Sequence, residues 1–141
     1  MVWREAGERG GDRAFVEESW VLVGHVEQRV WLLRAIWPLR GDAAAVAFSW
    51  RRVLTREERR GDVLGWLHTH PPGLLRPSAR DERTMRAWRT CLGKPLLCAI
   101  GAAGQLAGYV FAGRDGSWRP LERLVRFDSR QLVAVECDDG G

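Results

Sequence analysis

The segment Val63-Leu-Gly-Trp-Leu-His-Thr-His70, followed by Pro71-Pro72-Gly73, restricts the fold of this chain more than any other. Its alternation is that of a β-strand, whose successive side chains leave opposite faces, and it predicts Leu64, Trp66, His68 and His70 on one face. The prolines end the strand, because a prolyl nitrogen cannot donate to a sheet ladder. At Pro77-Ser78-Ala-Arg-Asp81 the pattern turns helical. Ser78 is placed as N-cap and Asp81 at the third helical position, and the helix runs to about Leu92, where Gly93 stops it. A strand that feeds a helix through a short proline-rich loop belongs to a mixed α/β (α+β) domain.

The flanking elements agree with that class. Residues 13–19 read as a short helix, Trp20 to Val26 as a buried strand and Arg29 to Trp37 as its neighbour. Pro38 to Asp42 predicts a break, Ala43 to Trp50 a strand, and Arg51 to Arg60 a charged helix ending at Gly61. Further strands are predicted at Leu96–Ile100, Leu106–Ala112, Leu124–Phe127 and Leu132–Val135. A length of 141 residues with 45% hydrophobic content suits one core, with no internal repeat, so the chain divides into a tail (1–12), one domain (13–136) and an acidic tail (137–141). No apolar run approaches the roughly 20 residues of a bilayer span and the N-terminus lacks a signal pattern, so no membrane partner and a cytoplasmic location are expected.

Formal charge is +4, almost all of its positive part from arginine. Arginines at 51–52, 56, 59–60, 76, 80, 83, 86 and 89 interleave with Glu57, Glu58, Asp62, Asp81 and Glu82, which reads as a solvated mixed-charge face, with no nucleic acid expected as partner. Cys91, Cys98 and Cys137 are odd in number and lack CxxC spacing, against a disulfide framework or a four-thiolate zinc site; they are expected reduced and mostly buried. Most of the eight tryptophans are expected in the core.

Two histidines at i and i+2 on a strand project to the same side, and Asp81 can return from the helix start to add an oxygen. Two nitrogens and one carboxylate leave one tetrahedral position open, the pattern of a catalytic zinc site, where a bound water's pKa falls to about 7. Hydrolysis also needs a proton acceptor and an oxyanion donor. Ser78 suits the second role, and Glu17, Glu18 and Glu27 are candidates for the first.

The spacing His68-Thr-His70, Pro71 to Pro77, Ser78-Ala-Arg-Asp81 resembles the motif of the JAMM metallopeptidases of the MPN/JAB-domain group: a glutamate, His-x-His, seven residues, Ser, two residues and Asp. Gly65-Trp66 before the first histidine and Pro71 after the second resemble it too. The family's glutamate stands seven residues before a glycine that ends the first strand, and counting back from Gly24 gives Glu17, with Glu18 as fallback. The resemblance covers roughly residues 13–127. It implies a curved mixed β-sheet flanked by helices, with a cytidine-deaminase-like architecture. It implies one Zn2+ on His68, His70, Asp81 and water, Glu17 as general acid/base and Ser78 at the oxyanion. The long insertions of the eukaryotic deubiquitinases are missing, so the chain looks like a minimal bacterial member.

That resemblance implies a zinc isopeptidase cleaving after the C-terminal glycine of a bacterial ubiquitin-like protein. It would deconjugate or mature its partner beside activating and conjugating enzymes, in a setting such as antiphage defence. Processing of a sulfur-carrier protein and a non-catalytic MPN scaffold are the alternatives. The substrate tail is expected along an exposed strand edge near Trp66, Pro71 and Ser78. The terminal Gly140-Gly141 also resembles a modifier's end, but the rest of the chain matches a peptidase.

Overall fold

The structure, a computed structural model, describes residues 17–41, 50–71, 74–113, 115 and 117–138. In chain order the elements are β1 (Glu17–Glu27), β2 (Val30–Gly41), α1 (Trp50–Arg60), β3 (Val63–Thr69), α2 (Ala79–Leu92), β4 (Leu96–Ala102), β5 (Gln105–Phe111), β6 (Trp118–Arg126) and β7 (Gln131–Glu136). No helix among the described residues is long and apolar enough to cross a membrane.

The strands close into a barrel in the order β1-β2-β7-β6-β5-β4-β3, so the expected curved mixed sheet flanked by helices is corrected to a closed barrel. Closure comes from β2, which pairs β1 on one side and β7 on the other, Trp31 facing Val26 and Ala134. Only β3 and β4 run parallel among the described strands, and α2 connects them, as a parallel pair requires. The interior is filled by Trp20, Leu22, Trp31, Leu33, Leu67, Leu97, Val110 and Leu132. A second cluster lies outside the barrel, where Val53 of α1 and Met85 and Trp88 of α2 cover Val21, Val63, Leu96, Cys98 and Ile100. Both helices thus lie on the outer surface, over the β1–β3–β4 side.

Several local expectations change. Glu17 to Ser19 continue β1 and are not the end of a helix, because they extend its ladder, facing Gly41, Arg40 and Leu39 of β2, with Ser19 also facing His68 of β3; residues 13–16 lie outside the described part. The break expected at Pro38 is a β-bulge within β2: Ser19 faces Leu39 while Val21 faces Ile36. The extra residue accommodates a proline that cannot donate, and Trp37 adopts a left-handed φ of 54°. Of the strand expected at Ala43–Trp50, Trp50 begins α1 and residues 43–49 lie outside the described part. Leu64 joins the barrel interior, opposite to Trp66 and His68, because β3 is bulged there: Leu22 faces Gly65 and Val23 faces Val63. Cys91 is exposed on α2, whereas Cys98 is buried and Cys137 half-buried.

Candidate metal centre

The bulge at Leu64–Gly65 decides which side chains of β3 face α2. Gly65 has φ +154°, and a Cβ there would stand 1.8 Å from the Leu97 carbonyl oxygen, so β3 and β4 approach too closely for any side chain. Beyond it, Trp66, His68 and His70 share the outer face beneath α2. The Trp66 and His68 rings meet edge to face at 4.7 Å, and those of His68 and His70 at 4.5 Å.

Helix α2 starts where a capping box requires. The Asp81 backbone N–H donates to Ser78 Oγ at 3.0 Å, and the Ser78 N–H donates to Asp81 Oδ2 at 2.8 Å. This fixes the Asp81 carboxylate over the strand end, 3% exposed. Its Oδ1 lies 3.2 Å from His68 Nε2 and its Oδ2 3.0 Å from His70 Nε2. The other nitrogen of each ring already has an acceptor. His70 Nδ1 lies 2.9 Å from the Leu74 carbonyl oxygen, and His68 Nδ1 lies 2.9 Å from Glu17 Oε1. An N–H on each Nδ1 leaves the Nε2 lone pair free toward the shared centre, the arrangement by which metal sites orient their imidazoles.

Charge follows the same geometry. Burial opposes a charged His68 ring, but hydrogen bonds to Asp81, Cys98 and Glu17 outweigh it and raise its pKa well above the usual value. Burial likewise opposes ionisation of Asp81, yet hydrogen bonds from His68 and His70 hold its carboxyl far below the ordinary carboxylate range. In the metal-free protein the raised pKa of His68 favours a proton between its Nε2 and the Asp81 carboxylate, at the place a cation would take.

Among the described residues, His68, His70 and Asp81 offer ligand atoms within 4.8 Å of one another. Zinc bonds of 2.0–2.2 Å in tetrahedral geometry give a ligand–ligand edge of about 3.3 Å, close to the Nε2–oxygen separations here. The donors fit zinc in kind as well, two borderline nitrogens and a carboxylate, and among the described residues no fourth His, Cys, Asp or Glu joins the cluster.

Of the three acids considered, the structure brings Glu17 alone to the site. Glu18 leaves the opposite face of β1, its backbone N–H donating to Thr69 Oγ1, and Glu27 stands at the far, exposed end of the strand. Glu17 Oε1 is on His68 Nδ1, so this carboxylate orients a ligand. Ser78 is exposed, and the oxygen that accepts from Asp81 still carries an O–H able to donate.

Two residues at the site have no place in the motif. Ser19 faces His68 across the β1–β3 ladder, is fully buried, and its Oγ has no hydrogen-bond partner among the described residues. Cys98 Sγ lies 3.9 Å from His68 Nε2, its thiol pKa pushed up by burial. The signal for Ser19 was its period-two spacing from Glu17; Cys98 arrives through the parallel pairing of β4 with β3. Among the described residues β3 is paired on both sides, so this strand offers no free edge beside the site.

A closed mixed barrel with two oriented imidazoles and a capped aspartate defines a domain built around a candidate open metal site. A family model for prokaryotic homologs of the JAB domain matches residues 12–123, and the chain belongs to that family, in agreement with the JAMM/MPN resemblance. JAB domains are often metallopeptidases. A comparison with curated proteins returns no match.

Proposed function

We propose that this chain is a zinc-dependent peptidase that cuts after the C-terminal glycine of a bacterial ubiquitin-like protein, releasing it from a conjugate or a precursor. The observation that carries this reading is the pair of Nε2 atoms turned on the Asp81 carboxylate, each ring held from behind by its own acceptor, Glu17 or Leu74. His68, His70 and Asp81 would hold the ion. Bound there, zinc supplies a Lewis acid that acidifies water and polarises a carbonyl.

The remaining steps fall to the chain's own groups. Glu17 keeps His68 in register through Oε1, and to take the proton of the attacking water and return one to the departing amine its carboxylate must turn from Nδ1 to the Nε2 side of the ring. Ser78 donates its O–H to the oxygen of the cleaved carbonyl from the start of α2, where the helix's positive end adds to the effect. The half-buried Trp66 and the exposed Leu74, whose carbonyl holds His70, flank the approach. A small residue before the cut bond lets the carbonyl come close, which favours glycine.

The test is a fusion of a ubiquitin-like protein, ending in glycine, to a reporter, with metal content measured in parallel. The expected result is one zinc per chain, lost in His70→Ala together with cleavage, and a steep fall in kcat/KM when the final glycine becomes valine. A folded protein that takes up no zinc overturns the metal assignment. One that binds zinc but ignores every glycine-terminated fusion overturns the peptidase reading.

A further inference from the structure

Helix α1 sorts charges that look evenly mixed along the sequence. At about 100° per residue, Arg51, Arg52, Arg56, Arg59 and Arg60 fall within an arc of about 180°. Glu57 leaves on another side, where it takes Lys94 Nζ at 2.9 Å and the Val63 N–H at 3.1 Å. Glu58 falls just outside the arc. The arginine side of α1 and Trp37 of the β2 bulge enclose a hollow of about 460 Å³, whose lining contains no acidic side chain.

The state of each arginine differs. Arg52 stacks on the Trp37 ring, its guanidinium carbon 3.9 Å from the centroid. Arg56 is bidentate to Asp62, with Nε–Oδ1 at 3.0 Å and Nη2–Oδ2 at 2.8 Å, so the nearest carboxylate is already used. Arg51, Arg59 and Arg60 are exposed; the side chains of Arg51 and Arg59 take part in no hydrogen bond or ion pair among the described residues, and Arg60 acts on Asp62 only through its charge. Guanidinium forks match carboxylate and phosphate geometry and carry a weak hydration shell, so such a cluster favours an anionic ligand.

We propose that this groove, separate from the metal centre and independent of the peptidase reading, binds an extended acidic segment of a partner protein. Three observations select that occupant. Arg52 and Arg56 meet over the Trp37 ring, but the five arginines are spread along the whole helix, which suits charges at intervals on a chain better than one phosphate. Residues four apart on α1 stand about 6.0 Å apart along its axis, near the roughly 6.7 Å between alternate side chains of an extended peptide. Trp37 presents an apolar wall to the intervening residues but has one face covered by Arg52, leaving little room for the base stacking that single-stranded nucleic acid uses.

The experiment is fluorescence anisotropy of a labelled (Glu-Ala)4 peptide with the full chain, a (Gln-Ala)4 peptide as control. Inorganic tripolyphosphate and a short oligothymidine serve as competitors. Binding of the glutamate peptide alone is expected, weakened severalfold when salt rises from about 50 to about 200 mM. It should fall at least tenfold in Arg51→Glu/Arg59→Gln, whose exposed sites leave the circular dichroism unchanged, and persist in His70→Ala. No binding, or binding unaffected by the double variant, overturns the proposal. Displacement by tripolyphosphate or oligothymidine at concentrations well below those of the peptide overturns it in favour of a phosphate ligand.

Discussion

Ser19 is where a single residue says most about the site. A buried hydroxyl with no partner costs about 1–3 kcal/mol, so Ser19→Ala should leave the metal-free protein as stable or raise its stability by about 1 kcal/mol in urea unfolding. A clear loss of stability would mean that the hydroxyl has a partner in the free protein. Glu17 separates two duties. Glutamine keeps an oxygen for His68 Nδ1 but cannot take a proton, so Glu17→Gln should retain zinc and fold while turnover drops by about two orders of magnitude or more. Turnover near wild type, read beside Glu18→Ala, would reduce Glu17 to an orienting group. His68, His70, Ser78 and Asp81 were legible in the sequence because they sit in one segment whose strand, turn and cap are local events. Ser19 and Cys98 were not, because their neighbours are set by ladders joining residues about 30–50 positions apart, and no local pattern encodes such a pairing.

At the scale of elements, the decisive feature is how closely β3 lies against β4. Gly65→Ala forces a Cβ onto the Leu97 carbonyl at 1.8 Å with φ at +154°, so the strands must part, and a loss of at least about 3 kcal/mol or failure to fold is expected in thermal melting. A shift of less than a few degrees would mean that the bulge can re-form elsewhere. This bulge also explains why strict alternation misassigned Leu64: one extra residue turns everything before it to the other face. Helix α1 is tied to β3 by Arg56 and Asp62. Their hydrogen bonds, against a smaller effect of burial, lower the Asp62 pKa below 3.8. A carboxyl depressed in the folded state adds stability that is complete above its unfolded value and is lost as pH falls through the folded one. The advantage over Asp62→Asn, about 1 kcal/mol at most for so accessible a pair, should therefore hold at neutral pH and shrink below pH 3.8 in acid titrations followed by circular dichroism. A constant difference down to pH 2 would assign the effect to something other than the ion pair.

For the whole molecule, closure of the barrel rests on β7, beyond the family match at residues 12–123. Six residues of β7 join β2 to β6, and two of them, Leu132 and Ala134, are buried in the interior beside Trp31 and Leu33. Glu136 adds polar ties, accepting from Trp31 Nε1 at 2.8 Å and pairing with Arg119 at 2.7 Å. Composition and periodicity marked this strand only as a short apolar run, and nothing in it named β2, about 100 positions earlier, as its partner; hence closure was not legible in it. Without β7 the facing edges of β2 and β6 would be bare and the interior open to water. A chain ending after Arg126 should consequently lose its cooperative melt and near-ultraviolet circular dichroism and bind a hydrophobic dye, even though every proposed zinc ligand remains. The milder Leu132→Ala should keep the fold at a loss of about 2–5 kcal/mol, from lost burial plus the cavity left behind. If the shortened chain still melts cooperatively and takes up zinc, the ligand-bearing strands stand without a closed barrel, and β7 serves some purpose other than holding the metal centre together.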